Sequence, residues 1–270
     1  GAAFDKAMED RIFNPLGMNN SGFGIGEFMA TEYAAPHSDG IASTTVLAPV
    51  EWNHIFDPFR PAGGAYSTAH DMALYVQNEL AEGGDLYGNK NLVARRLPKI
   101  ATGEDSWYGM GLSGDDEYGV DVFYHGGSLL GYKSNMWFIP EAGVGAVLLT
   151  NSDSGQGLLG PFRRFLLETL YDGKPEAVEN VASSAERSAQ ARERFLQDLS
   201  VPGDADVVAG LAQRYYNTDL GPVIIESPSR LRVTSGPIDY VTRANEDGTT
   251  SIIAATPGLL GYPMVVGEQD

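Results

Sequence analysis

His125-Gly126-Gly127-Ser128 is the stretch of this 270-residue chain whose residue types and spacing most readily suggest chemistry. A histidine closes the strand-like run "GVDVFY", and two glycines and a serine separate it from the next such run, "GYKSNMWFIP". Glycine inside a strand weakens it, so a pair of them marks a place where a ligand or another backbone comes close. An imidazole beside that opening can take up or give a proton near neutrality. The other chemistry-bearing residues do not group. His37, His54 and His70 have no paired ligand spacing, so no metal site is expected. There is no cysteine, which removes thiol catalysis, disulfides and Cys-based zinc sites and leaves the redox compartment open. Gly-x-Ser-x-Gly is absent, which argues against a Ser-His-Asp hydrolase contained wholly in the chain.

The charge balance narrows the partners. Asp and Glu number 36 against 18 Lys and Arg, a formal net charge of −18 that repels phosphate backbones and anionic lipid. Nucleic acid is therefore not an expected partner. The hydrophobic fraction of 43% is enough for a sizeable core, and no apolar run is long enough to span a bilayer. The opening "GAAFDKAMEDRIFNPLGM" reads as an amphipathic helix already under way rather than as a signal peptide.

The elements that must position the His-Gly-Gly-Ser stretch follow from periodicity. Phe4, Met8 and Ile12 share a helix face over residues 3–13, and Asn14-Pro15 followed by Gly17 ends that helix. Residues 19–62 read as long ordered loops with a short element at "EWNHIF", and long loops in a compact domain usually border a site. A helix follows: Thr68 and Asp71 have capping-box spacing, Met72, Val76 and Leu80 share a face, and Gly83-Gly84 stop it. Asp71 reads as a helix-start residue, and Gly63-Gly64 as the turn before the helix.

The period then changes. "SWYGMGLS", "GVDVFYHGG", "GYKSNMWFIP" and "GVGAVLLTNS" predict an antiparallel meander, with Tyr132 and Trp137 as sheet packing. The last run is apolar throughout and reads as a central strand. Leu159, Phe162, Leu166 and Leu170 form a helical stripe that can cover the sheet. Residues 174–200 read as an exposed helix or linker, and from Tyr215 onward short alternating runs with Ser-Gly and Asn-Glu-Asp-Gly turns predict a small β unit.

Four segments in order, "RIFNPLGM", "PAGGAYSTAHDMALYV", "YGMGL" and "YHGGSLLGYKSNMWFIPEAGVGAVLLTNSD", resemble the serine β-lactamase-like family of class C β-lactamases, penicillin-binding proteins and esterases. The likeness covers about residues 1–171, and the tail is similar to a β-domain often appended to such proteins. The resemblance implies an α/β (α+β type) fold, an antiparallel sheet flanked by helices, in which 1–173 is the C-terminal portion of the hydrolase domain, 174–204 a helical linker and 205–270 a β-rich appended unit. The family carries its chemistry on a Ser-x-x-Lys, a Tyr-x-Asn and a Lys/His-x-Gly. His125-Gly126-Gly127 matches the third, so the resemblance implies catalytic roles for His125 and Ser128 and substrate contacts at Gly126 and Gly127. The two glycines let a substrate lie against the strand as an added edge, and the Ser128 amide stands where half of an oxyanion hole is formed.

No Ser-x-x-Lys occurs in the 270 residues, and "YGN" at Tyr87 and "YYN" at Tyr215 fit Tyr-x-Asn by pattern alone. In the family both missing segments precede "PLGM". The chain is therefore expected to be the C-terminal part of a serine hydrolase acting on an ester, β-lactam or D-amino-acid peptide, with the N-terminal part of the same protein as its partner. No cofactor is implied, and the family resemblance is compatible with a periplasmic or secreted location, the sequence itself leaving a cytoplasmic one open. The alternative is a non-catalytic relative that binds a peptide or partner along the same strand edge.

Overall fold

A computed structural model describes residues 3–43, 45–81, 86, 88–218 and 221–265. The chain opens with a continuous helical segment: α-helical Phe4–Met8, a π-helical turn over Glu9–Phe13, and Asn14–Leu16, closed by Gly17 at φ 73°. Asn14-Pro15 followed by Gly17 was expected to end this helix, and it ends at Gly17, the proline still inside it. Pro15 lies in the first turn of its own segment, where no N–H is required of it, and the left-handed glycine is the stop. Phe13, Met18 and Phe23 bury a small cluster beneath it.

The expected loops of 19–62 carry several short elements. Gly22–Phe23 pairs with Ala65–Tyr66, His37–Ser38 pairs with Val46–Leu47, and "EWNHIF" lies within a 3-10 helix over Val50–Phe59. Gly63 ends a short helix, Arg60–Gly63, and Gly64 caps it. Helix α1 (Ala69–Leu80) starts where its Thr68 hydroxyl accepts from the Asp71 N–H. The Gly83-Gly84 stop lies outside the described residues.

Helix α2 (Asn89–Arg96) is tied to α1 through charge. Glu79 is fully buried, and its carboxylate receives Arg95 Nη1 at 2.9 Å and Arg96 Nη2 at 3.4 Å. The Arg96 guanidinium also lies over the Phe138 and Phe123 rings. Removing Glu79 takes the carboxylate away from the buried Arg96 guanidinium, at a cost of about 3–5 kcal/mol. Glu79→Ala is expected to lower the urea midpoint accordingly. A loss under about 1 kcal/mol would mean the guanidiniums find other partners.

The predicted meander forms, with a neighbour added at its start. Strands β1 (Ile100–Ala101), β2 (Ser106–Tyr108), β3 (Ser113–Asp115), β4 (Val122–Leu129), β5 (Tyr132–Ile139) and β6 (Val144–Thr150) lie side by side in that order, each antiparallel to the next. "SWYGMGLS" is two strands because Gly111 turns the chain at φ 77°. β6 was expected to be central and is an edge strand among the described residues, paired with β5 alone. It is apolar on both faces because both are covered. Val147 joins the Val76–Phe138 core on the α1 side, while Ala146 and Leu148 join the Trp137–Leu159 core under helix α3 (Gln156–Leu170). Leu159, Phe162, Leu166 and Leu170 all face that second core, as their spacing predicts.

Helix α4 (Ala177–Gln197) packs on α3. Six further strands, β7 (Arg214–Asn217), β8 (Gly221–Ser227), β9 (Arg230–Val233), β10 (Gly236–Ala244), β11 (Thr250–Ala254) and β12 (Pro263–Val265), form a second antiparallel meander. Its core of Leu231, Val233, Ile238, Tyr240, Ile252 and Ala254 also takes in Trp52 from the 3-10 helix, with Ile55 and Leu130 packed against it. Among the described residues the fold is thus a mixture of helices, two six-stranded antiparallel sheets and two short strand pairs, the class expected from the sequence. No helix among the described residues is long and apolar enough to cross a membrane.

Candidate functional site

The four residues singled out lie on β4, and the register of that strand decides what they can do. β3 pairs only with its first part: Ser113 opposite Tyr124, Gly114 opposite Phe123, and Asp115 opposite Val122. On its other side β4 pairs with β5 along its whole length, from Phe123 opposite Phe138 to Leu129 opposite Tyr132. Among the described residues the strand therefore has one neighbour and one open edge from His125 to Leu129. The buried half, Val122 and Phe123, holds the strand in the core, with Phe123 stacked on Phe138 at 5.5 Å. His125, Gly126, Gly127 and Ser128 are exposed.

The His125 ring is oriented by two contacts. Nδ1 lies 2.8 Å from the Gly126 carbonyl, which can only accept, so Nδ1 carries the proton. In the neutral ring Nε2 then accepts from the Tyr108 hydroxyl at 3.3 Å. Because the ring caps the Gly126 carbonyl, Gly126 turns its backbone groups toward the open edge. Strand alternation then gives Ser128 the same direction. An imidazole of fixed tautomer and the outward-facing Ser128 amide thus stand three residues apart on one edge.

Gly127 sits close against the neighbouring strand. A Cβ there would come within 2.5 Å of Ser134 Oγ, on the residue directly opposite. At Gly126 the nearest atoms to such a Cβ, the Asn135 amide nitrogen and the Ser134 carbonyl oxygen, lie at 3.3 Å. The turn after Ser128 contains Gly131 at φ 79°, where a Cβ would strike Pro36 at 2.5 Å. Its N–H donates to Asp153 at 3.2 Å, and Asp153 in turn forms an ion pair with Lys133, the residue opposite Ser128.

On the face shared by His125, Gly127 and Leu129 stands an aromatic cluster. Phe28 sits among Tyr33, Tyr66 and Tyr132 with centroid distances of 4.8, 5.6 and 6.0 Å. The Tyr132 hydroxyl donates to the Ala34 carbonyl at 2.8 Å. Burial, and secondarily the neighbouring Tyr33, push the Tyr132 phenol up to about 12. The folded state therefore holds this proton above the ordinary tyrosine value of about 10, so the stability it contributes is complete below that value. It is lost as pH rises through about 12. Ultraviolet titration of the folded chain is expected to show a late tyrosine step that Tyr132→Phe removes. A titration unchanged by Tyr132→Phe would contradict this assignment.

Other residues considered from sequence fall elsewhere. His37 and His54 point Nδ1 at the carbonyls of Asn151 and Glu51, and among the described residues no group of three or more His, Asp or Glu could hold a metal ion. Tyr87 of "YGN" lies outside the described residues. Tyr215 of "YYN" is on β7, where its hydroxyl accepts from the Ala212 N–H. Asp71 is a helix-start residue, yet it is fully buried and accepts from the Asn20 N–H at 2.7 Å and the Ser21 hydroxyl at 2.9 Å. It therefore ties the loop after Gly17 to α1. Tyr108, Lys133, Ser134 and Asp153 escaped the sequence reading, since only strand pairing brings them to His125, Ser128 and Gly127. Tyr108 opens "YGMGL", but nothing in that segment marks its hydroxyl as a partner of His125.

Comparison with known proteins adds the following. The Beta-lactamase family model matches residues 1–168. Penicillin-binding protein 4 of Amycolatopsis lactamdurans is 28% identical over 180 residues, 63% of this chain and 47% of that protein, so the chain spans about half of that relative's length. Among solved structures, the octameric penicillin-binding protein homologue from Pyrococcus abyssi aligns at a TM-score of 0.57 and 18% identity, over 99% of this chain and 57% of that one. This is a shared fold. The penicillin-binding protein from Bacillus halodurans gives a TM-score of 0.48 at 20% identity, over 61% of this chain and 50% of that one.

Proposed function

The chain belongs to the Beta-lactamase family, a family of serine hydrolases, and on that premise we propose that it is the C-terminal part of an enzyme that cleaves an ester, a β-lactam or a D-amino-acid peptide through an acyl-enzyme. The observation that carries this reading is the open edge of β4 from His125 to Leu129, with its exposed glycine pair. A substrate with an amide or carbonyl group can lie along that edge as an added strand, and the absence of Cβ atoms lets it come close.

In this reading a serine supplied from outside residues 1–270 attacks the substrate carbonyl carbon, giving its proton to the lysine of its own Ser-x-x-Lys and the tyrosine of the separate Tyr-x-Asn segment. The carbonyl electrons move onto oxygen, where the outward-facing Ser128 N–H donates one hydrogen bond and the nucleophile's own N–H another. Collapse expels the leaving group, which takes the proton, and water repeats the sequence in reverse to free the enzyme. His125, held by Tyr108 and the Gly126 carbonyl, presents a polar wall to the group flanking the reacting carbonyl.

The test is His125→Ala in the intact protein. Because His125 is exposed, the substitution is expected to change stability by under about 0.5 kcal/mol. Turnover should fall by about 10- to 100-fold. Unchanged kcat/KM alongside a clear loss of stability would assign His125 to the fold instead.

A further inference from the structure

The turn that follows Ser128 is held from several directions at once. Asn53 Nδ2 donates to the Leu130 carbonyl at 3.3 Å, and Gly131 is fixed by Asp153 and packed on Pro36. The Leu130 side chain leaves the first sheet and packs against the core of the second, the cluster of Trp52, Leu231, Val233, Ile238, Tyr240, Ile252 and Ala254. Gly258, between β11 and β12, lies against it, with a Cβ position 3.4 Å from Leu130 Cβ.

This anchoring matters because, among the described residues, the half of β4 beyond Tyr124 has a single neighbouring strand. A strand end with one neighbour frays from its turn unless the turn is fixed, and Ser128 stands only two residues, roughly 7 Å, from Leu130. We propose that Leu130 is a positioning residue, through which the C-terminal sheet clamps the β4–β5 turn and sets the geometry of the His125–Ser128 edge. The consequence for activity rests on the reading of that edge as the substrate-facing strand. The clamp itself does not.

The proposal is tested on the full 270-residue chain by NMR with Leu130→Ala, Leu130→Val and Leu130→Met. Amides of His125–Leu129 that are protected in the wild type are expected to exchange at least tenfold faster in Leu130→Ala, while those of Val122–Tyr124 keep their rates. The His125 ring nitrogens should shift as Nδ1 loses its fixed partner, and Leu130→Met should restore both signals. If Leu130→Ala fails to fold, Leu130→Val supplies the same local-against-global comparison. Exchange that rises equally along Val122–Leu129, or not at all, overturns the clamp. In the intact enzyme Leu130→Ala is expected to lower kcat about tenfold with KM little changed. Kinetics indifferent to both Leu130→Ala and His125→Ala, with the exchange result intact, would retire the functional reading and leave the clamp standing.

Discussion

Residues 1–270 by themselves are expected to hydrolyse nitrocefin and p-nitrophenyl acetate at least ~10³-fold more slowly than the intact enzyme, as enzymes do when the nucleophile is removed and only binding and oxyanion donors remain. The five lysines are Lys6, Lys90, Lys99, Lys133 and Lys174, and none stands three residues after a serine. Lys133, the lysine nearest Ser128 in the sheet, has its ammonium taken up by Asp153 and by the Leu129 and Tyr132 carbonyls. Among the described residues the serine hydroxyls that form side-chain bonds do so with one another, with Asp71, Thr102 or Asn245, and none with a histidine or lysine. His125 itself faces Tyr108. A nucleophile without a base within reach stays weak. Saturable turnover within tenfold of the intact enzyme, abolished by a serine substitution inside the chain, would overturn this account.

Gly127 should separate packing from function more sharply than any other residue of the edge. The atom that a Cβ would strike is the Ser134 hydroxyl, the end of a short side chain that can rotate aside. Gly127→Ala is therefore expected to cost the fold under about 1 kcal/mol, within the range of ordinary single substitutions. Gly127→Val, with two further carbons and a stiff χ1, has less room. If substrate lies on this edge, Gly127→Ala in the intact enzyme lowers kcat/KM by about 100-fold, a loss of transition-state contact of about 2.7 kcal/mol. Urea melts of both variants accompany the kinetics. Equal and modest losses of stability and of turnover would make Gly127 a packing residue only.

Faces were easier to read from the sequence than edges. The alternation that predicts the meander is matched by two faces, Phe123 and Phe138 on the α1 side and Val122 and Trp137 on the α3 side. Whether a strand is interior depends on hydrogen bonds that leave no mark on side-chain type, so β6, covered on both faces, was read as central. Asp71 shows a similar limit. Its spacing from Thr68 reveals the helix start, while the Asn20 and Ser21 partners, some 50 residues upstream, obey no periodicity. Leu130 shows it most clearly. As one apolar residue in a turn it carries no pattern, and only the packing of two sheets gives it a role. At the candidate site the His-Gly-Gly-Ser motif was plain. The hydroxyls and charges that orient it, Tyr108, Ser134 and the Lys133–Asp153 pair, come from strand register.

The central claim is that this chain supplies the substrate-facing strand for a serine held elsewhere in the same protein. Labelling the intact protein with a fluorophosphonate, followed by peptide mapping, tests it most directly. The account predicts stoichiometric label on a serine outside residues 1–270, acquired about tenfold more slowly in Gly127→Ala. Label on a serine within residues 1–270 would contradict it.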